Sequence, residues 1–317
     1  MGKILITGGA GFIGHNTALM ALKSGHEVNI LDDLSTGSLD CVNLVTENGG
    51  VFHRADIRDK KSLEESMSGV DSIIHLAAQV SVPVSFQDEE KNWDINVNGT
   101  SAIIETAMKM GISRVVVASS AAVYGFCEDM PLREASAGDL RSPYAESKME
   151  NESQIVKARS NGMESIAFRF FNVYGPRQNS NGAYAAVISK FISLLQEGKA
   201  PTIFGDGGQT RDFVHVDDVA RILLESVNME WRSELNHVYN VGTQNQISLN
   251  ELLSLMYDYL EAQDIDVGHL KPRFSDERRG DIRHSFASIE STLNDFHWKP
   301  QVDFEKGLKE LMKTSGE

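Results

Sequence analysis

Cysteine is nearly absent: the 317-residue chain carries two thiols, Cys41 and Cys127. Two lone cysteines cannot build a disulfide framework, and neither sits in a CxxC or Cys/His cluster that would hold zinc. The usage fits a reducing cytoplasm. Long apolar runs are also missing. No stretch approaches the ~18 residues that span a bilayer, and the opening MGKILITGG has an apolar core too short for a secretory leader. The expectation is a soluble, cytoplasmic protein with no membrane partner that starts on a strand. Positive charge is scarce, with 30 Lys and Arg against 45 Asp and Glu, a net charge of −15. Such a surface repels polyanions and argues against nucleic-acid or anionic-membrane partners; an anionic small molecule needs a local basic pocket. There is no internal repeat and no low-complexity tract. The length suffices for one large domain or two unequal ones.

What is present is a recurrence of short β-branched runs between helical patterns. KILIT (3–7), EVNIL (27–31), VFHRA (51–55), SIIHLA (72–77), RVVVAS (114–119), SIAFRFF (165–171) and HVYNV (237–241) are apolar on both faces and separated by helix-length segments. That pattern predicts a parallel sheet covered on two sides, the α/β doubly wound class. A helix is expected over about 93–110, stopping at Gly111. A second is expected to start at Ser142 as N-cap with Pro143 at the first position and to run toward Asn161-Gly162. After Asn172 the sequence becomes loop-rich. We expect residues 1–171 to form the sheet domain, 211–242 to return to it, and 172–317 to form mainly a smaller substrate-binding region.

Chemistry first suggests itself at GGAGFIG (8–14), directly after the first strand. Gly8 permits a tight turn, Gly11 lets backbone approach a pyrophosphate, and Gly14 lets helix and strand pack closely. Asp32 ends the second strand, where a carboxylate accepts from a ribose hydroxyl and repels a 2′-phosphate, favouring NAD over NADP. Asp33 is either an alternative for that job or a turn residue. In YAESK, Tyr144 and Lys148 share one helix face at i and i+4. A free Tyr titrates near ~10, so a neighbouring ammonium is needed if it is to act as a base near neutrality. The alternative for this pair is an ordinary surface contact. The hydroxyls of SSAAVYG (119–125) lie at the carboxyl end of a strand, where ligands of open α/β sheets sit, which places Ser120 beside Tyr144.

Taken together, TGGAGFIG, Asp32, ADIRD (55–59), HLAAQ (75–79), NVNGT (96–100), SSAAVYG, SPYAESK, RFFNVYGPRQ (169–178), GQTRDFVHVDDVA (208–220) and RRGDIRH (278–284) resemble the extended short-chain dehydrogenase/reductases, specifically the UDP-sugar 4-epimerases. The resemblance implies a Rossmann-type fold, NAD as cofactor, and a catalytic set of Ser120, Tyr144 and Lys148, with Ser119 structural. It places dinucleotide contacts on Gly8, Gly11, Phe12, Ile13, Asp32, Asp56, Ile57, Ala77, Ala78, Gln79, Asn96, Tyr144, Lys148 and Phe171. Nucleotide-sugar contacts fall on Ser81, Ser120, Asn172, Arg211, Arg278 and Asp281. The two arginines suit a diphosphate, though either alone could be a surface residue. Phe204 lines the uracil site or simply packs in the core.

Related dehydratases carry an Asp-Glu pair where Ala121 and Ala122 stand, so this chain needs one proton shuttle only. The stretch 178–190 looks like enzymes acting on UDP-N-acetylglucosamine and UDP-N-acetylgalactosamine, and the family's gate position falls on Ser285, small enough for a 2-acetamido group. The expectation is 4-epimerisation of these sugars, with UDP-glucose and UDP-galactose also possible. Arg283 and His284 keep a UDP-uronate 4-epimerase or decarboxylase open, and a non-catalytic nucleotide-sugar-binding module is the third reading. The family usually forms homodimers through a four-helix bundle of the helices near 93–110 and 143–160.

Overall fold

The computed structural model describes residues 1–179, 186–277 and 282–314. Six of the expected strands appear as β1 (Lys3–Thr7), β2 (Glu27–Asp32), β3 (Val51–Arg54), β4 (Ser72–His75), β5 (Arg114–Ser120) and β6 (Glu164–Phe170). With Val238–Val241 they form a seven-stranded, wholly parallel sheet, ordered from that last strand through β6, β5, β4, β1 and β2 to β3. The order reverses between β1 and β4, and that crevice outside the carboxyl ends is where such sheets bind ligands.

Strand alternation splits the core into two layers. Ile4 and Ile6 of β1 face Ala18, Ala21, Ile222 and Leu223 on one side, whereas Leu5 faces Ile103, Ala107 and Ile155 on the other. The first layer includes helix Phe12–Lys23 and helix Val216–Asn228; the second includes Gly99–Met110 and Pro143–Ser160. The second of these helices starts as expected. Ser142 caps it by accepting from the Ala145 amide at 3.1 Å, with Pro143 in the first turn.

The helix expected over 93–110 is interrupted. Glu89–Trp93 is α-helical, Asp94–Asn98 widens to a π turn, and Gly99–Met110 resumes before Gly111 at φ 75°. The Asn96 carbonyl accepts from Thr100 Oγ1 at 2.6 Å and Asn151 Nδ2 at 2.8 Å. Side-chain donors thus occupy an acceptor that a regular helix would spend on its own backbone.

A third core, containing Phe191, Ile203, Phe213, Met256 and Leu308, holds the C-terminal region together. Of the segment expected to return to the sheet, Val216–Asn228 packs on the first layer, but Thr210–Arg211 and Phe213–His215 pair elsewhere. Phe213–His215 pairs with Asn172–Tyr174, and the strand that joins the main sheet is Val238–Val241.

The two regions are tied by Asp218, buried in the Val216–Asn228 helix. Its carboxylate accepts from Arg221 at 2.5 Å and from the Gln301 and Val302 amides at 2.9 and 3.0 Å. Truncation leaves these donors without their acceptor, an effect of roughly 3 kcal/mol for a buried charged partner. Asp218→Ala is expected to lower the urea midpoint by a corresponding amount without changing the sheet's circular dichroism at low denaturant.

Candidate active site

The glycine turn follows β1 and opens the Phe12–Lys23 helix. Gly8 adopts φ 68°, and a Cβ there would lie 2.7 Å from the Ala77 amide nitrogen. At Gly14 a Cβ would lie 2.1 Å from the Gly8 carbonyl oxygen, so helix and turn touch through backbone alone. Gly9, which the motif reading did not single out, is equally constrained: its Cβ would meet Ile30 of β2 at 2.4 Å. Gly11 differs, since the one close neighbour of a Cβ there is the Gly8 carbonyl at 3.1 Å. Phe12 and Ile13 begin the helix behind Gly11, its N-cap.

Asp32 is buried at the end of β2 and accepts from the Ala10 and Leu34 amides at 3.0 and 2.9 Å. Burial raises its carboxyl above the usual range, and those two amides pull it back. Asp33 instead accepts from Ser35 in the turn, at 2.8 Å. Asp56 pairs with Arg58, which holds its carboxyl below the usual range; Ile57 beside it is buried.

At the end of β4 a buried relay fixes the switch point. The Ala77 amide donates to Thr7 Oγ1 at 3.3 Å, which contacts His75 Nδ1 at 2.6 Å; His75 Nε2 contacts Thr100 Oγ1 at 3.0 Å, and Thr100 donates to the Asn96 carbonyl. Because Thr100 spends its proton on Asn96, His75 must donate from Nε2 and accept at Nδ1. Burial drives its basicity down to about 3, so the ring stays neutral. Asn96 also clasps Gln79, accepting from its amide at 2.8 Å and donating to its carbonyl at 3.0 Å, and reaches Ser147 at 3.0 Å. Ala78 and Gln79 therefore hang from the π turn. Ser81 caps the Val82–Gln87 helix, and Ser85 of that helix accepts from the Tyr144 amide.

Ser120, Tyr144 and Lys148 converge where β5 ends. The Ser120 hydroxyl accepts from the Ala122 amide at 3.2 Å and lies near enough to the Tyr144 phenol to favour its ionised form. Lys148 Nζ donates to the Ala118 carbonyl at 2.9 Å and lies 5.9 Å from the Tyr144 ring centre. Burial raises the phenol above its ordinary value, with nearby Ser120 pulling the other way, and lowers the ammonium to about 8. Ser119 points away into the core, donating to Glu152 at 2.5 Å.

In front of Ser120 lies a cavity of about 270 Å³ lined by Ser120, Ala121, Ala122, Phe170, Phe171, Asn172, Arg211, Ile282 and Ser285. Arg211 and Ser285 are register partners on two short parallel strands, which sets both on the cavity wall. Sequence reading had no access to strands of two residues, and it missed Ile282. Arg283 turns outward to Asp206, with contacts of 2.6 and 2.8 Å, so Arg211 is the charged side chain of the described lining. Phe204 is half-buried on Thr202–Phe204, and its carbonyl accepts from Gln209 at 2.8 Å, outside the lining set. Arg278 and Asp281 lie outside the described residues.

Residues 4–242 match the NAD dependent epimerase/dehydratase family. The chain belongs to that family. The UDP-glucose 4-epimerase of Mycolicibacterium smegmatis is 33% identical over 98% of this chain and 97% of its own. The UDP-N-acetyl-alpha-D-glucosaminuronate decarboxylase of Bacillus cytotoxicus is 31% identical over the same shares. The solved UDP-N-acetylglucosamine 4-epimerase of Methanobrevibacter ruminantium, in complex with UDP-N-acetylmuramic acid, superposes with a TM-score of 0.90 at 35% identity, over 98% of this chain and 97% of that one. The cofactor of this family enzyme is NAD, and the side-chain-free turn at Gly8, Gly11 and Gly14 with Asp32 beyond it fits that group. Among the described residues no helix is long and apolar enough to cross a membrane, and no His, Cys, Asp and Glu cluster could hold a metal ion.

Since a Cβ at Gly14 strikes backbone, the turn itself must shift. Gly14→Ala is expected to weaken NAD retention at least about tenfold and to cost roughly 1–3 kcal/mol of stability; cofactor fluorescence after gel filtration and thermal melting measure the two effects.

Proposed function

We propose that the protein interconverts the C4 epimers of UDP-hexoses, foremost UDP-N-acetylglucosamine and UDP-N-acetylgalactosamine, and accepts UDP-glucose and UDP-galactose as well. The observation that carries this reading is the cavity: Ser120 stands at its wall with Tyr144 behind it, two methyl groups occupy 121 and 122, and Arg211 supplies the cation for a diphosphate.

Bound NAD, held by the glycine turn and Asp32, would supply a reversible hydride acceptor for C4 of the sugar. Tyr144 takes the proton of the 4-hydroxyl, directly or across Ser120, as the C4–H electron pair leaves, and a 4-keto sugar results. Lys148, in the same buried pocket, supplies the positive charge that favours the phenolate. The sugar then turns over while Arg211 keeps the diphosphate, and Tyr144 gives its proton back to the oxygen as hydride reaches the opposite face. Nothing is oxidised overall. No further acid or base is needed, which suits Ala121 and Ala122.

In this reading Gly8, Gly11, Phe12, Ile13, Asp32, Asp56, Ile57, Ala77, Ala78, Gln79, Asn96 and Phe171 surround the cofactor. Ser81, Asn172, Phe204, Arg211, Arg278, Asp281 and Ser285 serve the nucleotide sugar. Residues 1–171, with Val216–Asn228 and Val238–Val241, are the cofactor domain, and the remainder chiefly holds substrate. The enzyme acts in the cytoplasm as a homodimer through the helices near 93–110 and 143–160; exposed Met108, Met110 and Val156 on those helices support the pairing.

The decarboxylase relative favours a second reading, chemistry on a UDP-uronate. It would need a cation for the carboxylate, and the nearby Arg283 is already committed to Asp206.

Proton NMR of the anomeric region tests the proposal with UDP-N-acetylglucosamine as substrate. The wild type should form UDP-N-acetylgalactosamine. Tyr144→Phe should lose turnover by about 10²–10⁴ while keeping UDP binding, and Ser285→Tyr should convert UDP-glucose but discriminate against the N-acetylated sugar by at least about tenfold. Equal loss on both sugars in Ser285→Tyr would remove the size argument, and conversion of UDP-uronates alone would install the second reading.

A further inference from the structure

Behind the reacting groups lies a buried ion pair that the proposed chemistry leaves unused. Glu152 is one helical turn beyond Lys148 on the same helix face. Arg169 comes from β6 and meets it in a fork, Nε to one carboxylate oxygen at 2.8 Å and an end nitrogen to the other at 2.7 Å. Their side chains are 6% and 5% exposed. The Ser119 hydroxyl donates to the same carboxylate at 2.5 Å, and Arg169 donates onward to Tyr124 Oη at 3.0 Å and the Glu134 carbonyl at 2.7 Å. Tyr124 in turn donates to Asn240 at 2.6 Å.

An ion pair this deep gains little net stability over apolar packing, because both charges have been stripped of water. Its placement suggests another use. Ser119 is the residue before Ser120, Ala118 holds the Lys148 ammonium, and Glu152 is the carboxylate whose field acts on that ammonium. The other groups facing this pocket are Tyr144 on the same helix, Tyr124 from the turn after β5, neutral His75 from β4, and Glu134, whose carboxylate acts on Tyr124 and accepts from the Asn240 amide. The segment 82–110, packed on the same helix, sends it the neutral Ser85 and Asn96; its charged Asp88, Glu89, Glu90, Lys91, Asp94, Glu105 and Lys109 point to solvent or pair elsewhere.

We propose that Glu152 and Arg169 are positioning residues of the reaction: as a matched pair they fix the end of β5 that presents Ser120 and cancel each other's charge beside Lys148, so that the ammonium survives in a dry pocket. The inference rests on the proposed roles of Ser120, Tyr144 and Lys148. Removing one member leaves the other as an uncompensated buried charge, and the two removals act on Lys148 in opposite senses.

The test follows Lys148 directly by NMR of the NAD-bound enzyme with isotope-labelled lysine, its signal identified by loss in Lys148→Met. Glu152→Gln leaves a bare guanidinium, and the Lys148 titration should fall by about 1–3 pH units. Arg169→Gln leaves a bare carboxylate, and it should rise by a similar amount, about 1–3 units. The charge-neutral double variant should return near the wild-type midpoint. The alkaline limb of kcat/KM should move with each. Either single variant decides if the other fails to fold. Unmoved titrations, or a double variant displaced as far as the single ones, would overturn the inference and leave a merely structural pair. An enzyme inactive on every UDP-sugar would remove the catalytic reading instead, while the NMR titration would still report on the pair.

Discussion

The site depends on one seam, the packing of the Pro143–Ser160 helix against the carboxyl end of β5. The hydrogen bond from Lys148 to the Ala118 carbonyl, at 2.9 Å, closes it just past the last β5 residue paired with β4, where β6 is the remaining strand partner. A buried ammonium is costly, and burial takes Lys148 down to about 8. The strand carbonyl and the nearby carboxylate make the charged form tolerable. From that contact the geometry follows: Tyr144, one turn earlier, comes against Ser120, and Ser120 opens onto the cavity.

The rest of the molecule keeps this seam in register. The glycine turn lets the first helix approach the sheet through bare backbone, and the Thr7, His75 and Thr100 relay couples that turn to the π segment. The π segment then returns to the seam through Asn96 and Ser147. Polar groups buried in such chains are stabilising only if all are satisfied, and here each proton has an assigned acceptor. On the far side, Arg211 and Ser285 face the cavity because two-residue strands hold them in parallel register.

The sheet was legible in sequence because parallel strands are apolar on both faces and stand out as β-branched runs; all seven expected runs became strands of one sheet. The Ser142-Pro143 helix start was legible because capping is local chemistry. The break at Asp94–Asn98 was not, since it is made by donors from Thr100 and from Asn151, far along the chain. Glu152 and Arg169 drew no separate reading from the sequence, because only their placement on adjacent elements buries them together. Ile282 at the cavity and the outward turn of Arg283 likewise depend on tertiary pairing that no local pattern encodes.

In the proposed reaction the hydrogen leaving C4 is the one that returns, because it would travel as hydride while Tyr144 handles only the oxygen's proton. The most direct measurement is proton NMR of the epimerised product formed in deuterium oxide. The product should keep the proton at C4, with no deuterium incorporated. Deuterium at C4 would show that carbon exchanges with solvent and would contradict a hydride held within the site.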